Sequence, residues 1–272
     1  MVPKTQWPAY LRINSYSKLE NVELLKNRFS NKPHIIERLR SGCFKHMLDI
    51  PLGHFHWQLM KELIQRLVKG SGDNELWFNF GGKLMKFGIQ DFALITGLNC
   101  SPCNDVGLCG SDNGHLRDKF FSNNTKLNIR LFNSIFLNPL KATDDELVQL
   151  ANIFLLENVV YAKQDGTQVD WNALEMVTNE SEFHNYPWGT KAFEYTIKSI
   201  WNVVKNLGSG TSNIGGFPHA ILIWAYEIIP TLSEMGFSTR CGRNMPRILN
   251  WIGKKQTRKQ DLDSVFESET VS

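Results

Sequence analysis

The chain has 272 residues, 42% of them hydrophobic and 11% aromatic, with a net charge of +3. Such a composition buries a core and excludes a disordered chain, while a charge this small does not by itself argue for nucleic acid. Five cysteines are an odd number, the first residues form no apolar leader, and no run reaches the length of a membrane span. The expectation is a reducing compartment, nucleus or cytoplasm with the nucleus favoured, and no membrane partner. The acceptor triplets at Asn123 and Asn179 are then chance matches.

In chain order, residues 1–16 read as a flexible lead-in. Residues 17–30 read as a helix, and Pro33 opens a second through Arg40. Met60, Leu63, Ile64 and Leu67 follow helical spacing, with Gly70 and Gly72 ending that segment. Residues 76–80 and 83–87 flank Gly81 and Gly82, which supply the positive φ of a two-residue hairpin turn. Residues 89–98 return to helical spacing through Ile89, Phe92, Ala93 and Leu98, and Gly97 breaks the end. Residues 99–126, rich in Gly, Asn, Ser and Asp, read as a long loop that divides two lobes or closes one.

An apolar segment follows at 127–137. Thr143 and Glu146 form a capping box for a helix carrying Leu147, Leu150, Ala151, Phe154 and Leu155 on one face. Residues 164–167 read as a turn, and 188–205 as a helix with Phe193, Ile197, Ile200, Trp201 and Val204 in one stripe. Residues 207–216 read as a flexible connection, Pro218 starts another helix and Pro230 stops it, and 253–272 form a charged tail. The expected fold is mainly α (α+β), a helical globule with one short β-hairpin between Leu76 and Phe87. The expected organisation is one domain over residues 17–252.

The ordered blocks ELWF and MKFGIQDFALITGLNC, then YPWGTKAFE, GFPHAILIWAYEIIP and MPRILNW, with SGCFKHMLDIP ahead of them, resemble a plant family, domain of unknown function nineteen eighty-five. The resemblance covers residues 25–252. Its F-x-x-x-D/E-F-x-x-x-T-G-L element is similar to the plant mobile domain of transposon-derived proteins. The resemblance implies a transposon-associated module, often found upstream of a cysteine protease specific for ubiquitin-like or SUMO modifiers. No such protease follows Ser272, so the expectation is a free-standing or truncated copy of a non-catalytic module. The family carries no accepted catalytic residues.

Each motif with chemical potential also has a plain structural reading. His56-Trp57-Gln58-Leu59 resembles the histidine motif of those proteases but lies in a helical pattern, and Arg240-Cys241-Gly242 lacks the upstream acid and glutamine of the nucleophile segment. Cys100, Cys103, Cys109 and His115 have zinc-ligand spacing, yet free thiols are the preferred reading and no metal or cofactor is assigned. Trp77, Trp201 and Trp224 are assigned to the core, and Trp188 to a wedge at a helix start. Glu227 sits among apolar residues and is expected to pair with an arginine or cap a helix rather than act as an acid. Arg240, Arg243, Arg247, Lys254, Lys255, Arg258 and Lys259 form a basic segment with no acid between them, suited to an import receptor or to nucleic acid. The favoured function is a non-enzymatic protein-interaction module whose partner belongs to the SUMO pathway or is otherwise unknown. The alternative is a nucleic-acid-binding accessory protein of a transposable element.

Overall fold

The computed structural model describes residues 7–8, 11–68, 74–103, 114–122, 126–207, 210–254 and 259–268. The chain enters through β1 (Arg12–Ser15), followed by α1 (Glu20–Arg28), α2 (Pro33–Ser41), a 3-10 turn (Lys45–Asp49) and α3 (Trp57–Gln65). β2 (Glu75–Phe80) and β3 (Lys83–Gly88) run directly into α4 (Ile89–Thr96). Next come α5 (His115–Phe121), α6 (Ile129–Leu137) and α7 (Asp144–Leu155), which continues into one π-helical turn, Leu156–Val160. α8 (Trp171–Met176), α9 (Glu180–Asn185), α10 (Trp188–Lys205) and β4 (Thr211–Ile214) precede α11 (His219–Ile228), α12 (Pro230–Glu234) and β5 (Ser238–Arg240). A second 3-10 turn (Arg247–Asn250), β6 (Trp251–Gly253) and α13 (Lys259–Ser268) complete the order. The fold is mainly helical, with small sheets only.

The hairpin forms in the register its turn residues demand. Phe80 faces Lys83, and Gly81 and Gly82 take φ of 59° and 99°. Period-two alternation buries Leu76, Phe78 and Phe80 and turns Trp77 and Asn79 to the other face. Asp91 accepts a hydrogen bond from the Gly88 N–H at 2.9 Å, which locks β3 to the start of α4. Gly97 ends α4 in the left-handed conformation, φ 70°. The capping box of α7 is complete: Thr143 N–H donates to Glu146 at 2.7 Å, and Glu146 N–H to the Thr143 hydroxyl at 3.3 Å.

α11 is apolar almost all round, and every residue from His219 to Tyr226 is buried. It therefore serves as the central helix. Trp224 packs on Phe78 and Phe87 of the hairpin, and Phe193 of α10 packs on Phe87 and Phe92. A ladder of rings, Phe121, Phe132, Phe136 and Phe154, joins α5, α6 and α7, with centroids 4.8 to 6.2 Å apart. One apolar cluster links residues on both sides of the 99–126 segment, from Trp7 to Val265.

Five expectations are corrected. Within the 99–126 segment, read as a loop, His115–Phe121 forms α5 and buries Leu116 and Phe121. From residue 11 onward the lead-in is anchored: Leu11 and Ile13 are buried, and β1 pairs in parallel with β4. That pairing also turns part of the 207–216 connection into a strand. Pro230 stops α11 as expected and in addition opens α12, since its fixed φ suits a first helical turn. In the charged tail, α13 buries Leu262 and Val265 and stacks Phe266 on Phe80. Trp224 and Trp188 are core, but Trp77 and Trp201 are only half-buried.

Candidate interaction groove

Part of the basic segment converges on a groove of about 820 Å³ at the C-terminal end of α11. The chain leaves α11 at Ile229, turns through α12 and returns as β5, which pairs antiparallel with β6 so that Arg240 faces Trp251. The loop between these strands is held by Asn250: its Oδ1 accepts the Asn244 N–H at 2.6 Å and its Nδ2 donates to the Asn244 carbonyl at 2.9 Å. Asn250 is buried, so this side chain substitutes for backbone pairing the loop lacks.

Three arginines, Arg240, Arg243 and Arg247, line the groove. Arg247 donates to Glu227 at 2.9 Å, and Glu227 also accepts from the Trp251 indole at 3.4 Å. The pair is partly exposed, worth at most ~1 kcal/mol to stability, so its main effect is to orient Arg247 and the indole. The Arg240 guanidinium lies 5.8 Å from the Trp251 ring centroid and donates Nε–H to the Gly242 carbonyl at 3.2 Å. Among the described residues, Arg240 and Arg243 have no carboxylate partner. Asp91 and Glu234 also line the groove, so its charge is mixed. The expectation that Glu227 pairs with an arginine holds.

The remaining basic residues divide differently. Lys254 is fixed through its backbone, its N–H donating to the Phe237 carbonyl at 2.9 Å. Lys255 and Arg258 lie outside the described residues, and Lys259 opens α13.

Both ring nitrogens of His56 have hydrogen-bond partners. The residue is buried at the start of α3, its Nε2–H donates to the Lys254 carbonyl, and its Nδ1 accepts from the Tyr226 hydroxyl at 2.9 Å. Burial lowers its pKa and keeps it neutral. Cys241 is exposed and contacts the Leu249 carbonyl, at 3.5 Å. Among the described residues a cysteine meets a histidine elsewhere: His184 Nδ1 lies 3.4 Å from Cys43 Sγ and accepts the Cys43 N–H at 3.3 Å. Burial pushes the Cys43 thiol up to about 12 and lowers His184, so the pair rests as neutral thiol and imidazole, the reverse of an activated thiolate.

The candidate zinc residues have separate partners. Cys100 packs against Gly189, and burial raises its thiol to about 12. Cys103 Sγ lies 3.6 Å from the Tyr186 hydroxyl. His115 Nε2 lies 3.0 Å from Glu146, which also pairs with Lys119. Cys109 lies outside the described residues, and among those described no three histidine, cysteine or acidic side chains cluster as a metal site. No described helix is long and apolar enough to cross a membrane.

Sequence reasoning missed the pairing of Arg240 with Trp251. Both strands have three residues, too short for a period-two signal. No curated protein and no solved structure matches the chain. The family model described as "Domain of unknown function (DUF1985)" matches residues 64–199. That span holds the hairpin, α4 and the YPWG start of α10, whereas α11 and the groove loop follow it. It amounts to half of the 272 residues, and the chain belongs to the DUF1985 family.

Proposed function

We propose that the protein is a non-catalytic interaction module that holds an acidic segment of a partner protein in the groove beside Trp251. The observation that carries this reading is the pair Arg240 and Arg243, set along one groove without carboxylate partners among the described residues. An acidic side chain entering there completes charge-assisted hydrogen bonds over an aromatic floor. Asp91 and Glu234 give the groove a mixed sign, which suits a peptide of mixed sequence better than a continuous phosphate backbone. The resemblance to plant transposon-associated proteins makes a SUMO-pathway protein the first partner to try, in the nucleus.

The test is binding of purified full-length protein to an array of peptides of graded acidity and to purified SUMO. Acidic peptides should bind, and Arg240→Glu/Arg243→Glu should abolish binding while leaving the circular dichroism spectrum unchanged. Equal binding by neutral peptides, or insensitivity to charge reversal, overturns the reading. Incubation with a SUMO precursor should yield no cleavage; cleavage would overturn the non-catalytic part.

The alternative is nucleic-acid binding by the 240–259 segment, for which the convergence of Arg240, Arg243 and Arg247 speaks. It requires an affinity that falls steeply with salt as counterions are released. Tighter binding of duplex DNA than of any acidic peptide, lost on the same charge reversal, would favour it.

A further inference from the structure

A second groove, of about 890 Å³, lies over the edge of the β1–β4 pair and the start of α1. Three cations from distant parts of the chain meet there: Arg12 on β1, Lys18 before α1, and Arg130 at the start of α6. Among the described residues none of the three has a carboxylate partner. The Arg12 guanidinium lies 5.5 Å from the Trp57 ring centroid. Arg130 is anchored through its backbone N–H, which donates to the Asp165 carbonyl at 3.0 Å.

Neutral hydrogen-bonding groups fill the gaps between these charges. Asn14 and Asn213 face each other across the parallel pair and both line the groove, as does Gln164. His219 is buried at the groove wall, and its Nε2–H donates to the Ser17 carbonyl at 2.9 Å. Its Nδ1 has no protein partner among the described residues and is left as an acceptor. Two carboxylates, Glu20 and Asp165, line the same space, so the five charged groups carry an excess of one positive charge.

We propose that this groove binds a small polyphosphorylated molecule, its phosphate oxygens taken by Arg12, Lys18 and Arg130 and its neutral polar groups by Asn14, Asn213 and Gln164. The volume is within the ~300–1,000 Å³ range of small-molecule sites. Guanidinium groups give the planar, paired donors that phosphate oxygens accept. The start of α1 adds to the site without carrying the proposal: its cap position, Leu19, supplies no side-chain hydrogen bond.

The experiment is isothermal titration of the full chain with inorganic tripolyphosphate at low salt, against sulfate at matched ionic strength. The expected result is one-to-one binding to tripolyphosphate. Arg12→Gln/Arg130→Gln should weaken it at least ~10-fold, as loss of a charge-assisted hydrogen bond does, and Lys18→Gln less so. Arg240→Gln/Arg243→Gln should leave it unchanged. Arg12, Lys18 and Arg130 are exposed, so these variants should keep the wild-type urea midpoint. Absence of binding at millimolar tripolyphosphate overturns the proposal. So does equal affinity for sulfate, or binding lost in the Arg240→Gln/Arg243→Gln variant instead. A single-stranded oligonucleotide that binds through Arg12 and Arg130 and is not displaced by tripolyphosphate would replace the small ligand with nucleic acid. Loss of binding in Arg12→Gln/Arg130→Gln and loss in Arg240→Gln/Arg243→Gln tell this groove apart from the one beside Trp251.

Discussion

Gly189→Ala gives opposite answers from local propensity and from packing. Gly189 is the second residue of α10, in the YPWG block. Helix propensity alone favours alanine by up to ~1 kcal/mol, less at a helix start. Packing opposes it: a Cβ there would lie 2.5 Å from Cys100 Sγ, 2.7 Å from the Asn99 carbonyl oxygen and 2.9 Å from Leu98 Cβ. The sulfur can swing away, but the carbonyl cannot retreat freely because it accepts the Gly189 N–H at 2.8 Å. Overpacking of this kind costs ~1–3 kcal/mol, and a weakened hydrogen bond adds ~1. The net expectation is a loss of ~1.5–3 kcal/mol, read as a lower urea midpoint at unchanged m-value and a melting point lower by ~4–10 °C. Adding Cys100→Ala should recover less than half, because the backbone contact remains. A Gly189→Ala protein as stable as wild type would refute the close approach of α10 to residues 98–100.

Gly216→Ala should cost at least as much, since Gly216 sits at φ 77° and a Cβ would fall 2.1 Å from the Thr196 hydroxyl; equilibrium unfolding checks it. Although burial works to raise the Glu146 carboxyl, Lys119, the Thr143 backbone and His115 hold it near 2. Its contribution is present above an ordinary value near 4.5 and lost as pH falls toward 2, so Glu146→Ala should cost ~1–2 kcal/mol at neutral pH and progressively less in acid, as unfolding at several pH values would show. Burial lowers His56 and His219 below 6.5, so stability should be full above that pH and fall as pH drops through it toward the folded values. The slope should reach up to ~1.4 kcal/mol per pH unit for each histidine, and a flat profile between pH 7.5 and 5.5 would contradict the burial.

What could be read from the sequence was what short-range chemistry determines. The hairpin follows from Gly81 and Gly82 between alternating apolar residues, and α7 from Thr143 and Glu146. β1 and β4 were not legible, because parallel pairing joins residues some two hundred positions apart and four residues give no usable period. Trp77 misled for a related reason: its neighbours are apolar, but strand alternation places it opposite Phe78, beside Glu75 and Lys86. The arginines of the groove were visible as a charge run, and the pairing of Glu227 was anticipated. Which arginines lack a carboxylate partner among the described residues, and that Trp251 lies beside Arg240, emerge only when β5 and β6 meet. Arg12, Lys18 and Arg130 carried no signal, since nothing local links them.

The most direct test of the interaction reading is hydrogen–deuterium exchange of the full chain with and without a saturating acidic peptide. Slower exchange should centre on residues 238–253, including the Cys241 amide bound to the Asn250 carbonyl, and should disappear in Arg240→Glu/Arg243→Glu. Protection confined to other segments, or protection that persists after charge reversal, would contradict the assignment of this groove.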